Sequence, residues 1–295
     1  MHTTITRGDR VVTIGGDLPF VIIGERINPT GKKRLTEALA ARRMDVVVEE
    51  AKRQIDAGAQ ILDVNVCIAG DRKEPDLMTL TVETLLGAVD LPLCIDSPNW
   101  RSVKAGLEAY HGHGRPLVNS VTGEQDRIDN VLPLVKEHAA STLGMLVDDD
   151  GIPDTAEGRL AIAEKIVNAA EAIGVSRDRV IIDCVCLTLG ADDHAACVTL
   201  ETIRLIREKL GVNVVLGASN VSFGLPSRRL LNITFLAMAM HAGMTCGIID
   251  PTIPEVRRTV LAADALLGKD SFSARYIDAF RAEEAAVAAA TGAPR

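Results

Sequence analysis

At 295 residues the chain is long enough for one large α/β barrel or for two ordinary domains. Hydrophobic residues (47%) and charged residues (24%) are spread evenly, which excludes a disordered chain, and no apolar run approaches the ~20 residues a membrane crossing needs. The net charge of -8 comes without any block of Lys and Arg, so neither nucleic acid nor membrane is expected as a partner. The first residues lack the charged-then-apolar plan of a secretory signal, and a cytoplasmic location is expected.

Short β-rich runs alternate with amphipathic segments along the whole chain. Strands are expected at residues 20–24, 61–66, 91–95, 116–118, 143–147, 180–182, 212–216 and 245–249. Helical spacing follows each at 44–57, 77–88, 100–110, 126–139, 155–173, 197–210, 227–242 and 253–267. Continuously apolar strands imply burial on both faces, as in a parallel sheet covered by helices. Eight such units predict a single-domain (β/α)₈ TIM barrel, with a doubly wound open sheet as the alternative. The expected organisation is an N-terminal extension (1–18), the barrel (19–268) and a C-terminal helical extension (269–295) containing an Ala-rich helix over 271–290.

In a parallel barrel the chemistry gathers where strands finish. Those positions are Glu25 to Asn28 after the first strand, Asp63 and Asn65 after the second, Asp96 and Asn99 after the third, and Asn119 after the fourth. Asp183, Asn220 and Asp250 follow the sixth, seventh and eighth. Any one of them could simply cap the next helix. A ring of them on one rim favours a site, because buried carboxylates need donors to face. Cations are scarce among them, so the mouth suits a polar heterocycle bearing N–H donors rather than a phosphate. A divalent metal held by Asp63, Asp96, Asp183 or Asp250 is the other reading of the carboxylates, and no metal is expected.

The six cysteines are scattered and read as reduced thiols; Cys184 and Cys186 form a C-x-C that no second pair or His cluster completes into a zinc site. His111 and His113 fall on the face away from the mouth, whereas His194 falls on the mouth side, near Asp192 and Asp193.

In chain order, the stretches "IIGERIN" (22–28), "AGAQILDVNV" (57–66), "LCIDS" (93–97), "VNS" (118–120), "IID" (181–183), "LGASNVSFGLPSRR" (216–229) and "NITFLAMAMHAGM" (232–244) resemble the methyltetrahydrofolate:corrinoid-protein methyltransferases. These belong to the pterin-binding barrels, with dihydropteroate synthase and the folate domain of cobalamin-dependent methionine synthase. The match runs from about residue 21 to 267. The resemblance implies that Asp96, Asn119 and Asp183 hold the aminopyrimidine edge of a pterin, with Asp63 and Asn65 supporting them. It also implies that Asn220 lies near N5 of the folate, and that Arg228 meets the glutamate tail or caps the mouth. Tetrahydrofolate or 5-methyltetrahydrofolate would be the substrate. Cobalamin would be carried by a partner corrinoid protein, since no DxHxxG-type motif occurs here, and a homodimer is expected. Two alternatives carry different chemistry. A dihydropteroate synthase would place a lysine in the seventh-strand loop, which this chain lacks, and a non-catalytic folate-binding subunit would keep the same pterin residues without methyl transfer.

Overall fold

A computed structural model describes residues 1–68 and 73–291, with side chains through residue 285. The N-terminal segment is a tight hairpin in which β1 (His2–Arg7) and β2 (Arg10–Gly15) pair antiparallel. β3 (Val21–Ile27) begins the barrel and is followed by α1 (Lys33–Ala40) and α2 (Met44–Asp56). The repeating units then run β4 (Ile61–Asn65), α3 (Glu74–Ala88), β5 (Leu93–Asp96), α4 (Trp100–Ala109), β6 (Leu117–Thr122) and α5 (Gln125–Glu137). Next come β7 (Ser141–Met145), α6 (Ala156–Ala172), β8 (Val180–Asp183), α7 (Ala195–Lys209), β9 (Asn213–Val215) and α8 (Arg228–Ala242). β10 (Cys246–Ile249), α9 (Pro254–Leu266) and α10 (Ala274–Thr291) complete the chain.

β3 to β10 form one parallel sheet in the order β10-β3-β4-β5-β6-β7-β8-β9. Backbone bonds from Thr245 N to Val214 O (3.0 Å) and from Ile248 N to Leu216 O (2.9 Å) bring its two edges together, so the eight-stranded barrel expected from the alternation is what forms.

Alternation along each strand decides what faces the barrel axis. Val21, Ile23, Ile61, Cys94, Leu117, Leu143, Ile181, Val215 and Cys246 make a buried cluster in the barrel's interior. The intervening residues, such as Ile22, Leu62, Ile95, Val118, Ile182 and Val214, pack outward against the helices. The hairpin belongs to the interior cluster, because Ile5, Val12 and Ile14 are buried within it. Asn213 at the start of β9 pins it there, donating to Thr3 Oγ1 and Ile14 O (both 3.0 Å). The hairpin therefore plugs the barrel's N-terminal end, and the alternating pattern of its own strands supplies the apolar face that does so.

Three local features depart from the sequence expectation. β3 continues three residues past 24, through a register shift between Gly24 and Ile27, so Glu25 and Arg26 lie in the strand. β6 reaches Thr122 instead of stopping at 118, again through a register shift. A short helix, α1, fills the loop after β3; its Leu35, Ala38 and Leu39 are buried at helical spacing that is too brief to stand out in a sequence. The start of the barrel is tied to its end by Asp264, whose two carboxylate oxygens accept from Phe20 N at 3.1 Å while Arg275 of α10 pairs with it at 3.1 Å. Among the described residues, no helix is long and apolar enough to cross a membrane.

Candidate active site

The parity that fills the interior with apolar side chains continues into the last residue or two of each strand, where the inward positions turn polar. Glu25, Asp63 and Asn65, Asp96, Asn119, Asp183 and Asp250 all occupy inward positions of this kind. Of the residues expected at the strand ends, Asp96, Asn119 and Asp183 are brought to this rim. Asn65, Asp96 and Asn119 stand side by side in register across β4, β5 and β6.

Their hydrogen bonds form two tiers. Asn65 Nδ2 donates to Asp96 Oδ2 (2.9 Å), and Asn119 Nδ2 donates to Asp63 Oδ1 (3.2 Å) one layer deeper. Asp63 is almost fully enclosed. Burial, with the neighbouring Asp96 charge, pushes its carboxyl well above the ordinary carboxylate range. Asp63 is therefore the more deeply buried and more strongly raised member of this pair, and it supports Asn119 from below. Asp96 is pushed up to about 6, mainly by burial, against the stabilising hydrogen bonds from Asn65 and Asp63. Across the barrel Asp183 stands apart. Only 8% of it is accessible, its Oδ1 accepts from Val185 N (2.9 Å), and burial raises it to about 6. Among the described residues its second oxygen has no hydrogen-bond donor.

Other strand-end polar residues bond to nearby backbone, Asn99 as a helix cap and Asn28 and Asp250 in loop turns. Asn99 Oδ1 accepts from Arg101 N (3.1 Å) at the start of α4, and Asn28 Oδ1 from Thr30 N (3.0 Å). Asp250 Oδ1 takes both Thr252 N (2.9 Å) and Thr252 Oγ1 (2.6 Å).

The seventh-strand loop folds into a 3₁₀ turn, Ala218–Ser222, with Ala218 and Val221 buried beneath it. That anchoring leaves Asn220 exposed on the turn. Its side-chain nitrogen packs over Gly217, 3.5 Å from where a β-carbon there would sit, an ordinary contact distance, and the side chain makes no hydrogen bond of its own among the described residues. Arg228 reaches back to this turn, donating through Nε to Ser222 Oγ (3.1 Å) and through Nη2 to Ser219 O (3.0 Å), with its guanidinium 5.2 Å from the Phe223 ring. In this arrangement it braces the turn, and Arg229 pairs with Glu255 at 2.9 Å.

The sequence underestimates the cations at this mouth. Arg26 Nη1 lies 3.3 Å from Asp250 Oδ2, and Lys32 Nζ donates to the carbonyls of Glu25 and Arg26 (both 3.2 Å). The same flank carries Glu25, which burial and the nearby Asp250 charge raise to about 7. Glu25 lies within the register shift of β3, so alternation along the strand alone does not place it. Cys184 and Cys186 are buried packing groups, and burial raises both thiols. His194 is exposed, its backbone N–H caught by Asp192 Oδ1 (2.9 Å) at the start of α7. His113 pairs through its carbonyl with Gly8 of the hairpin, on the plugged end. Among the described residues no group of three His, Cys, Asp or Glu side chains could hold a metal ion.

A barrel of this topology with amides and carboxylates crowning its strands has the form of a pterin-binding barrel. The chain belongs to that family: the model described as "Pterin binding enzyme" matches residues 24–250. Among relatives, it is 34% identical over 270 residues, 89% of this chain and 96% of the relative, to a methylcorrinoid:tetrahydrofolate methyltransferase of Eubacterium limosum. It is 32% identical over 288 residues to the methionine synthase of Mycobacterium leprae, of which that match spans 24%. Solved structures with the same fold include 7,8-dihydropteroate synthase from Vibrio fischeri (TM-score 0.69, 13% identity, 90% of this chain and 99% of that one). Another is a Yersinia pestis enzyme bound to a pterine-sulfa conjugate (TM-score 0.67, 16% identity, 91% and 100%).

Proposed function

We propose that this chain is a methyltransferase that moves a methyl group between N5 of tetrahydrofolate and the cobalt of a corrinoid held by a separate, cognate protein, in the cytoplasm and as a homodimer. The observation that carries the reading is the pairing, at one end of the barrel, of a recessed set of acceptors (Asp96, Asn119, Asp183) with an exposed, unpartnered amide (Asn220). The match to the methylcorrinoid:tetrahydrofolate methyltransferase of Eubacterium limosum, over nearly the full length of both chains, supports it.

A pterin presents a ring N–H beside an exocyclic amine, two parallel donors that an ionised carboxylate accepts together. Asp183 has the free oxygen for this contact, and ligand donors would hold it ionised against the burial that now raises it to about 6. Asn119, held from below by Asp63, offers both a donor and an acceptor to the ring's mixed edge. Asp63, Asn65, Asp96, Asn119 and Asp183 are thus the binding residues of this proposal, and Asn220 the catalytic one.

The chemistry asks for help at N5, because a tertiary amine leaves poorly unless its nitrogen gains a proton or strong hydrogen bonds as the C–N bond breaks. The cobalt centre of the partner supplies the methyl acceptor or donor. Asn220 can accept from protonated N5 or donate to the neutral nitrogen by rotating its amide, so it stabilises either state. Among the described residues its side chain makes no hydrogen bond, which suits that role. Glu25, held near neutrality by burial and by Asp250, can keep a proton at pH 7 on the same rim and pass it toward N5 through water. General-acid help of this kind contributes ~10²–10⁴-fold.

Dihydropteroate synthesis is the second reading of the fold. The loop bearing Asn220 reads "SNVSFGLPSRR", with no lysine, and the rim cations Arg26 and Lys32 are committed to Asp250 and to backbone carbonyls. The two readings separate in one assay pair: tetrahydrofolate with methylcobalamin, and dihydropterin pyrophosphate with p-aminobenzoate. Methyltetrahydrofolate formed only in the first supports the methyltransferase, whereas dihydropteroate formed in the second would replace it.

A further inference from the structure

Two arginines on helices of the outer layer are buried and make no ion pair among the described residues. Arg159 of α6 is only 1% exposed and Arg127 of α5 8% exposed. Burying a guanidinium is expensive unless its donors are satisfied, and an aliphatic side chain would fill the same space at less cost. Every hydrogen bond that each makes goes to a neutral oxygen. Arg159 donates through Nε to Pro153 O (2.9 Å) and through Nη1 to Cys184 O (3.1 Å), Val185 O (2.9 Å) and Thr199 Oγ1 (3.4 Å). Arg127 donates through Nη1 to Pro98 O (2.8 Å) and through Nη2 to Ser97 O (3.4 Å) and Ser120 O.

Apart from Pro153 O, the carbonyls held are those of the one or two residues after Asp96, Asn119 and Asp183. Fixing those peptide planes fixes the direction in which each preceding side chain leaves the strand. The case is sharpest at Val185. This β-branched residue sits at φ 49°, in the left-handed region that such side chains avoid. Its N–H donates to Asp183 Oδ1 while its carbonyl is held by Arg159. A conformation of that kind persists only where its surroundings over-determine it, and here the guanidinium does so.

We propose, on the basis of the folate reading above, that Arg159 and Arg127 are positioning residues: each clamps, from behind the strands, the loop carbonyls that aim Asp183, and Asp96 with Asn119, at the pterin. Neither touches the ligand. A lysine in either place keeps the charge but loses the planar fork that spans several carbonyls at once. The site would then lose its preorganisation rather than its functional groups.

The test is tetrahydrofolate binding by titration calorimetry, methyl-transfer kinetics and thermal unfolding for the unmodified chain, Arg159→Lys and Arg127→Lys. The expected result is a folded protein whose folate Kd and KM rise by about 10- to 100-fold, with kcat at saturating folate nearly unchanged, because Asn220 sits on a different loop. A pH profile separates the two clamps. Asp96 faces Asp63 and Asn65 of β4, Glu74 of α3, Arg127 of α5 and the nearby thiols of Cys67 and Cys94. Removing Arg127, the cation among these described residues, with Arg127→Met should move the acid limb of folate binding to higher pH, while Arg159→Met leaves the limb in place and lowers affinity throughout. Folate affinity within twofold of the unmodified chain in both lysine variants, with only melting temperature reduced, would overturn the proposal and leave a purely structural role. Failure of the unmodified chain to bind folate would overturn the folate reading itself.

Discussion

Replacing Asp183 with Asn should weaken folate binding and strengthen the empty fold at the same time. Among the described residues the carboxylate has one donor, Val185 N at 2.9 Å, and Asn keeps an oxygen for it. The amide's NH₂ would then point at the two pterin donors where an acceptor is needed. Losing one to two charge-assisted hydrogen bonds corresponds to roughly 3 kcal/mol, or about 10²-fold in Kd. Stability moves the other way. Burial raises Asp183 from 3.8 to about 6, so the native state disfavours the ionised form. The empty protein therefore loses stability from this group as pH climbs from near 4 to near 6, and above that the full cost persists. A shift of that size is worth at most about 3 kcal/mol, which the neutral amide avoids. Calorimetric titration with tetrahydrofolate and urea unfolding at pH 4 and pH 7.5 read both effects. Undiminished affinity in Asp183→Asn, or a loss of stability at pH 7.5, would refute the reasoning.

Asn220→Ala should lower the methyl-transfer rate by about 10²-fold while changing folate Kd less than threefold, as expected for a donor whose work is done in the transition state; stopped-flow kinetics beside equilibrium binding would show the split, and equal small effects would remove Asn220 from the mechanism. Glu25→Gln should slow transfer from methyltetrahydrofolate. It should also flatten the decline in rate that the unmodified protein shows as pH rises through about 7, where Glu25 gives up its proton; an unchanged pH–rate profile would place the proton source elsewhere. Ile14→Ala in the barrel plug should destabilise by about 2–5 kcal/mol in urea unfolding without altering folate affinity in the remaining folded protein. A surface-like effect below 0.5 kcal/mol would mean that the hairpin is not part of the core.

The barrel was readable because two periods repeat cleanly: apolar runs of strand length, and helical spacing between them. Strand-end residues were readable too, since parity carries Ile61 to Asp63 and Asn65, and Cys94 to Asp96. Which of these polar ends face the axis and which cap a helix was not, because an Asn before a helix looks the same in either role. Asn99 became a cap, and Asn119 did not. The arginines were missed for another reason: long charged side chains on a helix are read as solvated. Yet Arg159, Ile162, Ala163 and Ile166 occupy one face at helical spacing, so the apolar stripe itself placed the guanidinium inward. The hairpin escaped notice because its partners, Asn213 and the interior cluster, lie far away in sequence.

The most direct test of the central claim is the visible spectrum of cob(I)alamin mixed anaerobically with this protein and 5-methyltetrahydrofolate, with the reverse mixture of methylcobalamin and tetrahydrofolate beside it. The account predicts growth of the methylcobalamin spectrum in the first and its loss in the second, both slowed by Asn220→Ala. Stoichiometric folate binding with no spectral change in either mixture, even when a corrinoid protein carries the cobalamin, would contradict it and leave a barrel that binds folate without catalysing methyl transfer.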